Sequence, residues 1–353
     1  MCNNHGNMLT TRVLSVPGAK APFEKTNIEL RELRTNDILI NIKYSGICHS
    51  DIHSAFGEWA GGIFPMVPGH EIAGIVEAVG SEVTKYVVGD RVGVGCFVDS
   101  CGECEYCLNG EEQYCTKGVI NTYNDLDYDG NPTYGGYSQK IVVTEGFVVR
   151  IPDSLDMAEA SPLLCAGITT FSPLKHWKAG PGKKVAIVGM GGLGHLAIQF
   201  AHAMGAEVTV LSRSDNKRDE ALKFGADHYF ATNDSNTFKE LAGRFDLILN
   251  TVSANLDVDA YLSLLRIDGT LVNVGAPAES DKYHVFSLIM GRRSIAGSLV
   301  GGIRETQEML DFAAEHGISP MIEVINADLV EKSYERVLKS DVRYRFVIDI
   351  STL

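Results

Sequence analysis

The sequence predicts an α/β protein of two domains, one β-rich and one built on a doubly wound parallel sheet. Three observations predict it. The chain has 353 residues, more than one ordinary core accommodates. In the first part, short apolar runs alternate with Gly, Pro and Asp turn signals. From Lys184 onward the pattern changes to strand, helix, strand, helix. A hydrophobic content of 45% lets both parts bury a core, and 36 glycines suit the tight turns of an α/β enzyme better than a helical bundle.

The β-rich part shows apolar runs at 38–42, 71–79, 91–96 and 138–143. Pro68-Gly69, Gly80-Ser81 and Gly89-Asp90 punctuate them. The character shifts near Ile151-Pro152. In the second part, strands are expected at 185–188, 208–211, 228–230, 246–249, 271–274 and 295–299, with helices at 193–204 and 216–224. After Gly301-Gly302 come an amphipathic helix at 304–316, a helix at 332–338 and a last strand at 344–350. Pattern leaves open whether this tail extends the parallel sheet or returns to the first domain.

The formal charge of −14 argues against nucleic acid or an anionic membrane as partner, though not against an anionic cofactor in a local pocket. No segment reaches the apolar run of roughly 18 residues that spans a bilayer. Residues 1–11 are polar and unlike a secretory signal, and they read as a frayed tail. A cytoplasmic protein is expected, in which cysteines serve more often as ligands or catalysts than in disulfides.

There are eight cysteines. Four form Cys101-x-x-Cys104-x-x-Cys107-x7-Cys115. This spacing lets the thiolates converge on one ion, and four thiolates satisfy tetrahedral zinc. An iron–sulfur cluster and two disulfides are the rival readings. Nothing else here suggests electron transfer, and a reducing compartment disfavours disulfides. A closed four-thiolate site leaves no position for substrate, so this zinc is expected to fold the lobe at 96–118. A second set is more dispersed: Cys48 in Gly46-Ile47-Cys48-His49-Ser50-Asp51, His70 in Pro68-Gly69-His70-Glu71, and Cys165 in Leu164-Cys165-Ala166-Gly167. Singly these residues mean little. Together, two thiolates and one imidazole leave an open position, as a catalytic zinc requires.

Gly189-Met190-Gly191-Gly192-Leu193-Gly194 follows the strand at 185–188 and opens a helix. Gly189 permits the turn, Gly191 lets a pyrophosphate approach the backbone, and Gly194 allows the helix to pack closely on the strand. Amides at the helix start then face the phosphates. The second strand ends in Leu211-Ser212-Arg213-Ser214, with no carboxylate at Ser212 to take ribose hydroxyls. Arg213 and Lys217 suit a 2′-phosphate instead, so NADP is favoured over NAD.

With these motifs in place, the chain resembles the cinnamyl alcohol dehydrogenase branch of the zinc-dependent medium-chain dehydrogenases. The likeness runs from about Thr10 to Ile350. It rests on residues 46–53, 65–71, the four-cysteine lobe, 162–167 and Asp341-Val342-Arg343-Tyr344-Arg345-Phe346. Cys2His is the ligand set known for zinc alcohol dehydrogenases. The resemblance implies a GroES-like catalytic domain from residues 1–160 and 300–353, around a Rossmann NADP-binding domain at 161–299. It implies two zinc ions per chain and a homodimer formed through the Rossmann sheets. It places Glu71 behind or on the catalytic zinc and Thr169 beside the nicotinamide. Thr251, Val274, Gly275, Ala276 and Ser298 then belong to the cofactor site, with Val274, Gly275, Ala276 and Ser298 near the carboxamide. Arg345 is expected at the pyrophosphate, ahead of Arg343, and His49 near the phosphates.

The activity so implied is zinc-assisted hydride transfer between NADP(H) and small primary alcohols or aldehydes, aromatic, cinnamyl or aliphatic. Ser50 and His53, one helical turn apart, would pass the proton from a closed site to the surface by way of the cofactor ribose. Asp51 would hold a ligand in place. Trp59, Cys96, Asn121, Pro277 and Leu299 are expected to line the substrate pocket. Plant members of the branch often carry Trp where Asn121 falls, so a broad aldehyde range is favoured over lignin-type specificity. A polyol or sugar dehydrogenase, and a non-catalytic NADPH-binding protein on the same scaffold, are the alternatives.

Overall fold

A computed structural model describes residues 9–59, 61–277 and 279–353. Most of the tail assigned to residues 1–11, including Cys2, lies outside the described residues, but residues 9–11 are not frayed: they begin the strand Leu9–Ser15, held by pairing with Glu24–Leu30. The chain divides into two compact units. One is Met1–Cys165 with Gly301–Ala314 and Ser319–Leu353, described from Leu9 onward; the other is Ala166–Val300 with Glu315–Ile318.

The first unit centres on a seven-stranded sheet. Asp37–Gly46 is its hub, pairing antiparallel with Ile72–Val79, Lys140–Thr144 and Arg345–Asp349. Its first half is almost wholly buried, in keeping with the apolar run at 38–42. Arg91–Val94 and Val149–Arg150 extend the sheet on one side. On the other, Ile322–Asn326 pairs parallel with Arg345–Asp349. The tail that pattern left unassigned therefore completes this sheet: Val347 faces Gly46 and Ile348 faces Ser45.

The second unit holds six parallel strands in the order His228–Ala231, Glu207–Ser212, Lys184–Val188, Phe245–Asn250, Leu265–Asn273, Ser294–Gly297. Numbered along the chain, this is 3-2-1-4-5-6, the order of a Rossmann sheet. Ala186, Val188, Ile248, Leu262, Leu265 and Leu271 form its buried core. The middles of the central strands, 185–188 and 247–249, are apolar and buried because helices cover such sheets on both faces. The helix expected at 216–224 begins instead as a 3-10 turn, Asp215–Lys217, and continues as Arg218–Lys223.

Several strands of the first unit escape the sequence pattern, among them Leu9–Ser15, Phe97–Asp99, Ile120–Asn121 and Val149–Arg150, and two show the reason most clearly. Glu24–Leu30, which pairs with Leu9–Ser15, is exposed along most of its length. Ile322–Asn326 is an edge strand with a single buried residue. Neither carries the half-buried alternation on which strand recognition depends. No helix among the described residues is long and apolar enough to cross a membrane.

Candidate active site

Cys48, His70, Glu71 and Cys165 converge in the first unit, all four buried, with their ligand atoms within 4.8 Å of one another. Cys48 Sγ and Cys165 Sγ lie 3.9 Å apart, and His70 Nε2 is 3.3 Å from Cys165 Sγ. Two thiolates on tetrahedral zinc with bonds near 2.3 Å stand about 3.8 Å apart, so the spacing fits a shared ion. The donor set, two thiols, an imidazole and a carboxylate, is the chemistry of zinc rather than of magnesium or calcium.

Local structure explains each position. The helix His49–Ala55 starts after Cys48, whose backbone is extended. Asp51, in the first turn, accepts the Cys48 N–H at 2.8 Å, the acidic half of a capping box. The same carboxylate accepts the Gly69 N–H at 3.1 Å and meets His70 Nδ1 at 3.1 Å. Gly69 has φ +105, and a Cβ there would sit 2.7 Å from the Tyr137 ring. Only glycine delivers His70 to the cluster along this path. Cys165 lies in the π-helical turn Leu163–Gly167.

Electrostatics divide the cluster. Burial opposes charge on His70, yet Asp51 holds its pKa well above the ordinary imidazole value. The hydrogen bond with Cys165 lowers the Cys48 thiol well below its usual range and raises Cys165. Burial pushes Glu71 up to about 7, against the pull of Arg345. Glu71 Oε1 pairs with Arg345, while its Oε2 is buried with no hydrogen-bond partner. A buried carboxylate with one unpartnered oxygen, belonging to a residue grouped with two thiols and an imidazole, also fits a metal.

The four-cysteine lobe is likewise assembled. Cys101, Cys104, Cys107 and Cys115 place their sulfurs within 4.8 Å of one another. Cys101 and Cys107 are 3.9 Å apart, and Cys104 and Cys107 3.4 Å. Hydrogen bonds from backbone amides bring Cys104 down to about 6, while desolvation raises Cys107 to about 12.

In the second unit the glycine turn has the expected shape. Gly189 has φ +89, and a Cβ on Gly194 would lie 2.1 Å from the Gly189 carbonyl oxygen. Gly192 and Leu193 complete the turn before the helix Gly194–Ala203. Thr251 Oγ1 donates to Val188 O at 2.8 Å, at the ends of adjacent strands. The amides of Val274 and Gly275 bond to Asn250 O, and the Ser298 amide to Asn273 O. Thr169 is buried in the helix Ile168–His176. Ser212 is half-buried and Arg213 exposed after Glu207–Ser212.

Other expected residues find different surroundings. Arg345, expected at the pyrophosphate, is buried against Glu71. A buried guanidinium beside a buried carboxylate is held there by the cost of leaving either charge unpaired. Lys217, expected at a 2′-phosphate, donates to Met190 O at 2.7 Å. Asn121 turns its amide to Asp125 at 2.9 Å. His53 Nδ1 meets Glu58 at 2.6 Å, and its ring stacks on Trp59 at 5.2 Å. Ser50 Oγ is 3.7 Å from Cys48 Sγ. His49 and Ala276 are exposed.

Sequence reasoning missed three supports. Tyr137 hydroxyl reaches Asp51 at 3.4 Å and meets Tyr334 hydroxyl at 3.2 Å, and no local signal marks either tyrosine. Asn250 side chain links Asn273 and the Val252 amide; its signal was a polar residue ending an apolar parallel strand. His195, fully buried at the start of an apolar helix, was legible as an anomaly of the glycine turn.

A Rossmann sheet in one unit and a Cys2His cluster in the other define a zinc-dependent dehydrogenase. Residues 34–153 match the family described as alcohol dehydrogenase GroES-like domain, and residues 192–315 that described as zinc-binding dehydrogenase. The chain is 80% identical to the probable formaldehyde dehydrogenase AdhA of Bacillus subtilis (strain 168), across all of both chains. It is 59% identical to NADP-dependent alcohol dehydrogenase C 1 of Mycolicibacterium smegmatis, covering 98% of this chain and 99% of that one. The cinnamyl alcohol dehydrogenase SbCAD4 structure from Sorghum bicolor superposes with a TM-score of 0.94 at 43% identity, over 97% of this chain and 98% of that one. The chain belongs to the zinc-dependent medium-chain alcohol dehydrogenase family.

Asp51→Asn should weaken zinc binding at the buried cluster by about 10- to 100-fold, as loss of a hydrogen-bonded support of a ligating histidine does. Competition with a chromophoric chelator measures this, and unchanged affinity would show that Asp51 does not orient His70. Cys104→Ser should lower zinc content from two ions per chain to one and speed proteolytic nicking within the lobe, since a structural site contributes folding energy directly. Metal analysis with timed proteolysis checks both.

Proposed function

We propose that this chain interconverts primary alcohols and aldehydes, aromatic and aliphatic, with NADP(H), and that reduction of aldehydes is its physiological direction. The observation that carries the reading is the buried convergence of Cys48, His70, Glu71 and Cys165. Its cofactor choice is supported by Ser212 and Arg213 in place of a carboxylate after the second parallel strand, and by the NADP-dependent relative.

Cys48, His70 and Cys165 would hold the catalytic zinc, with Glu71 poised as exchangeable fourth ligand or support, and Cys101, Cys104, Cys107 and Cys115 would hold the second. When bound, zinc supplies the Lewis acidity that polarises a substrate oxygen, and the dinucleotide supplies or accepts the hydride. The residues of the chain then bind, orient and move a proton. Asp51 fixes the tautomer and direction of His70. Ser50, beside Cys48, takes the alcohol proton during oxidation, and His53 delivers it outward to Glu58. Thr169, Thr251, Val274, Gly275, Ala276 and Ser298 seat the cofactor. Burial of the cluster strengthens charge stabilisation at the reacting oxygen.

The second unit supports a homodimer. Ser294–Gly297 ends the six-stranded sheet, leaving a strand edge that natural proteins cover. Next to it in sequence Val285, Phe286, Ile289 and Met290 are each at least 59% exposed, an apolar group suited to a second copy. A cytoplasmic setting is part of the proposal, because both clusters need reduced thiols.

An aldehyde panel assayed separately with NADPH and NADH tests the reading. Benzaldehyde reduction with NADPH is expected to exceed sorbitol oxidation, and the reverse would favour a polyol dehydrogenase. Cys165→Ser should abolish turnover while NADPH still binds. A chain holding fewer than two zincs and inactive after zinc addition would favour a non-catalytic binding protein. Ile289→Glu with Met290→Lys should convert the dimer to monomer in analytical ultracentrifugation; a double variant that sediments like the unaltered chain would remove this face from the interface.

A further inference from the structure

Asn250 ends the strand Phe245–Asn250 and is buried. Its register partner on the neighbouring parallel strand is Asn273, the last residue of Leu265–Asn273. Adjacent strands lie about 4.8 Å apart, so the two side-chain amides can reach each other. Asn250 Nδ2 donates to Asn273 Oδ1 at 2.9 Å, and Asn250 Oδ1 accepts the Val252 N–H at 3.0 Å. A backbone N–H only donates, so it must meet the amide oxygen, which leaves the NH2 group for Asn273. The Asn250 carbonyl in turn accepts the amides of Val274 at 3.0 Å and Gly275 at 3.2 Å.

The Val252 peptide is what the Asn250 side chain fixes. A Cβ on Gly275 would sit 2.3 Å from Val252 O and 2.5 Å from its carbonyl carbon, so the loop at 274–276 seats directly on the Val252 backbone. Both atoms are backbone and cannot swing aside. An apolar residue at position 250 would serve the sheet as well as residues 247–249 do. A buried amide costs stability unless its donors and acceptor are filled, and one lost partner strands the other. What the asparagine adds is a fixed place for Val252, and through it for Gly275.

We infer that Asn250, braced by Asn273, is a positioning residue for the nicotinamide end of the cofactor site, acting through the Val252 peptide on which the 274–276 loop rests. The inference rests on the cofactor reading above, which puts Val274, Gly275, Ala276 and Ser298 near the carboxamide. Ser298 joins the same network, since its amide bonds to Asn273 O at 3.2 Å. The adenosine end is assigned to the close of the strand Glu207–Ser212, and Lys184–Val188 separates that strand from Phe245–Asn250 in the sheet. The two asparagines therefore act on one half of the dinucleotide.

Comparison of NADPH with 2′-phospho-ADP-ribose, which lacks the nicotinamide, isolates the effect. Dissociation constants of both are measured by calorimetric titration on the zinc-loaded protein. The kcat for benzaldehyde reduction at saturating NADPH and the unfolding midpoint are recorded for each variant. Asn250→Leu should weaken NADPH about tenfold or more, the scale of stranding one buried donor, and should lower kcat while 2′-phospho-ADP-ribose binds as before. Asn273→Leu keeps the bond to Val252 and lies at a half-buried position, so it stands in if Asn250→Leu does not fold, with a smaller loss of the same kind expected. The double variant should lose no more NADPH affinity than Asn250→Leu, because the two amides act as one unit. Folded variants in which both ligands weaken alike give Asn250 a purely structural role and overturn the inference, as do variants that bind NADPH and turn over like the unaltered chain. A wild-type chain that binds neither ligand overturns the proposed function itself, and this inference with it.

Discussion

Four groups converge on the carboxylate of Asp51: the Cys48 and Gly69 amides, the His70 ring and the Tyr137 hydroxyl. They come from a helix start, a loop at positive φ and a distant segment that also contacts Tyr334. A buried carboxylate is costly unless its lone pairs are filled, and here they are filled by the elements that carry two of the metal-type ligands. The geometry of Cys48 and His70 thus depends on one side chain that is not itself a ligand. Such a support raises the basicity of the histidine as well as aiming it.

The second constraint is the Glu71–Arg345 pair. Glu71 immediately precedes the strand Ile72–Val79, and Arg345 begins the last strand of the first unit. Their contact spans most of the sequence and leaves the other carboxylate oxygen, Oε2, buried without a partner. A buried ion pair adds little net stability, but removing one member is expensive. The pair therefore acts mainly to fix where Glu71 points. The antiparallel pairing of Arg345–Asp349 with Asp37–Gly46 makes that fixation possible.

The second unit uses the backbone for the same purpose. The positions proposed for the cofactor lie at the carboxyl ends of parallel strands, where loops are free to vary while the sheet beneath stays packed. Asn250 ties two of these ends together, its own and that of Leu265–Asn273, through its side chain and carbonyl. Lys217 and His195 each reach a carbonyl of the glycine turn, Met190 O and Gly191 O. Polar groups are thus concentrated at one edge of an apolar sheet, which is where an anionic cofactor needs donors and the core does not.

The sequence by itself determined the features that local chemistry encodes. Thiol spacing of two residues assembles the Cys101–Cys115 lobe because the ligands are close along the chain. Strand, glycine turn and helix follow one another in the second unit, so their hydrogen bonding and packing are written within a few residues. The buried cluster was legible as a set of residue types, and the resemblance named its members. Its geometry was not legible, because Cys48, His70 and Cys165 meet only after the sheet of the first unit forms. The weakly patterned strands Glu24–Leu30 and Ile322–Asn326 were hidden for a related reason: their stability comes from partners rather than from their own apolar alternation. Only the tertiary structure decided that Arg345 faces Glu71 and that Lys217 holds Met190 O. A long cationic side chain carries no record in sequence of which anion or carbonyl it will reach. That choice is made by the fold, which brings one partner within hydrogen-bond distance and desolvates the pair.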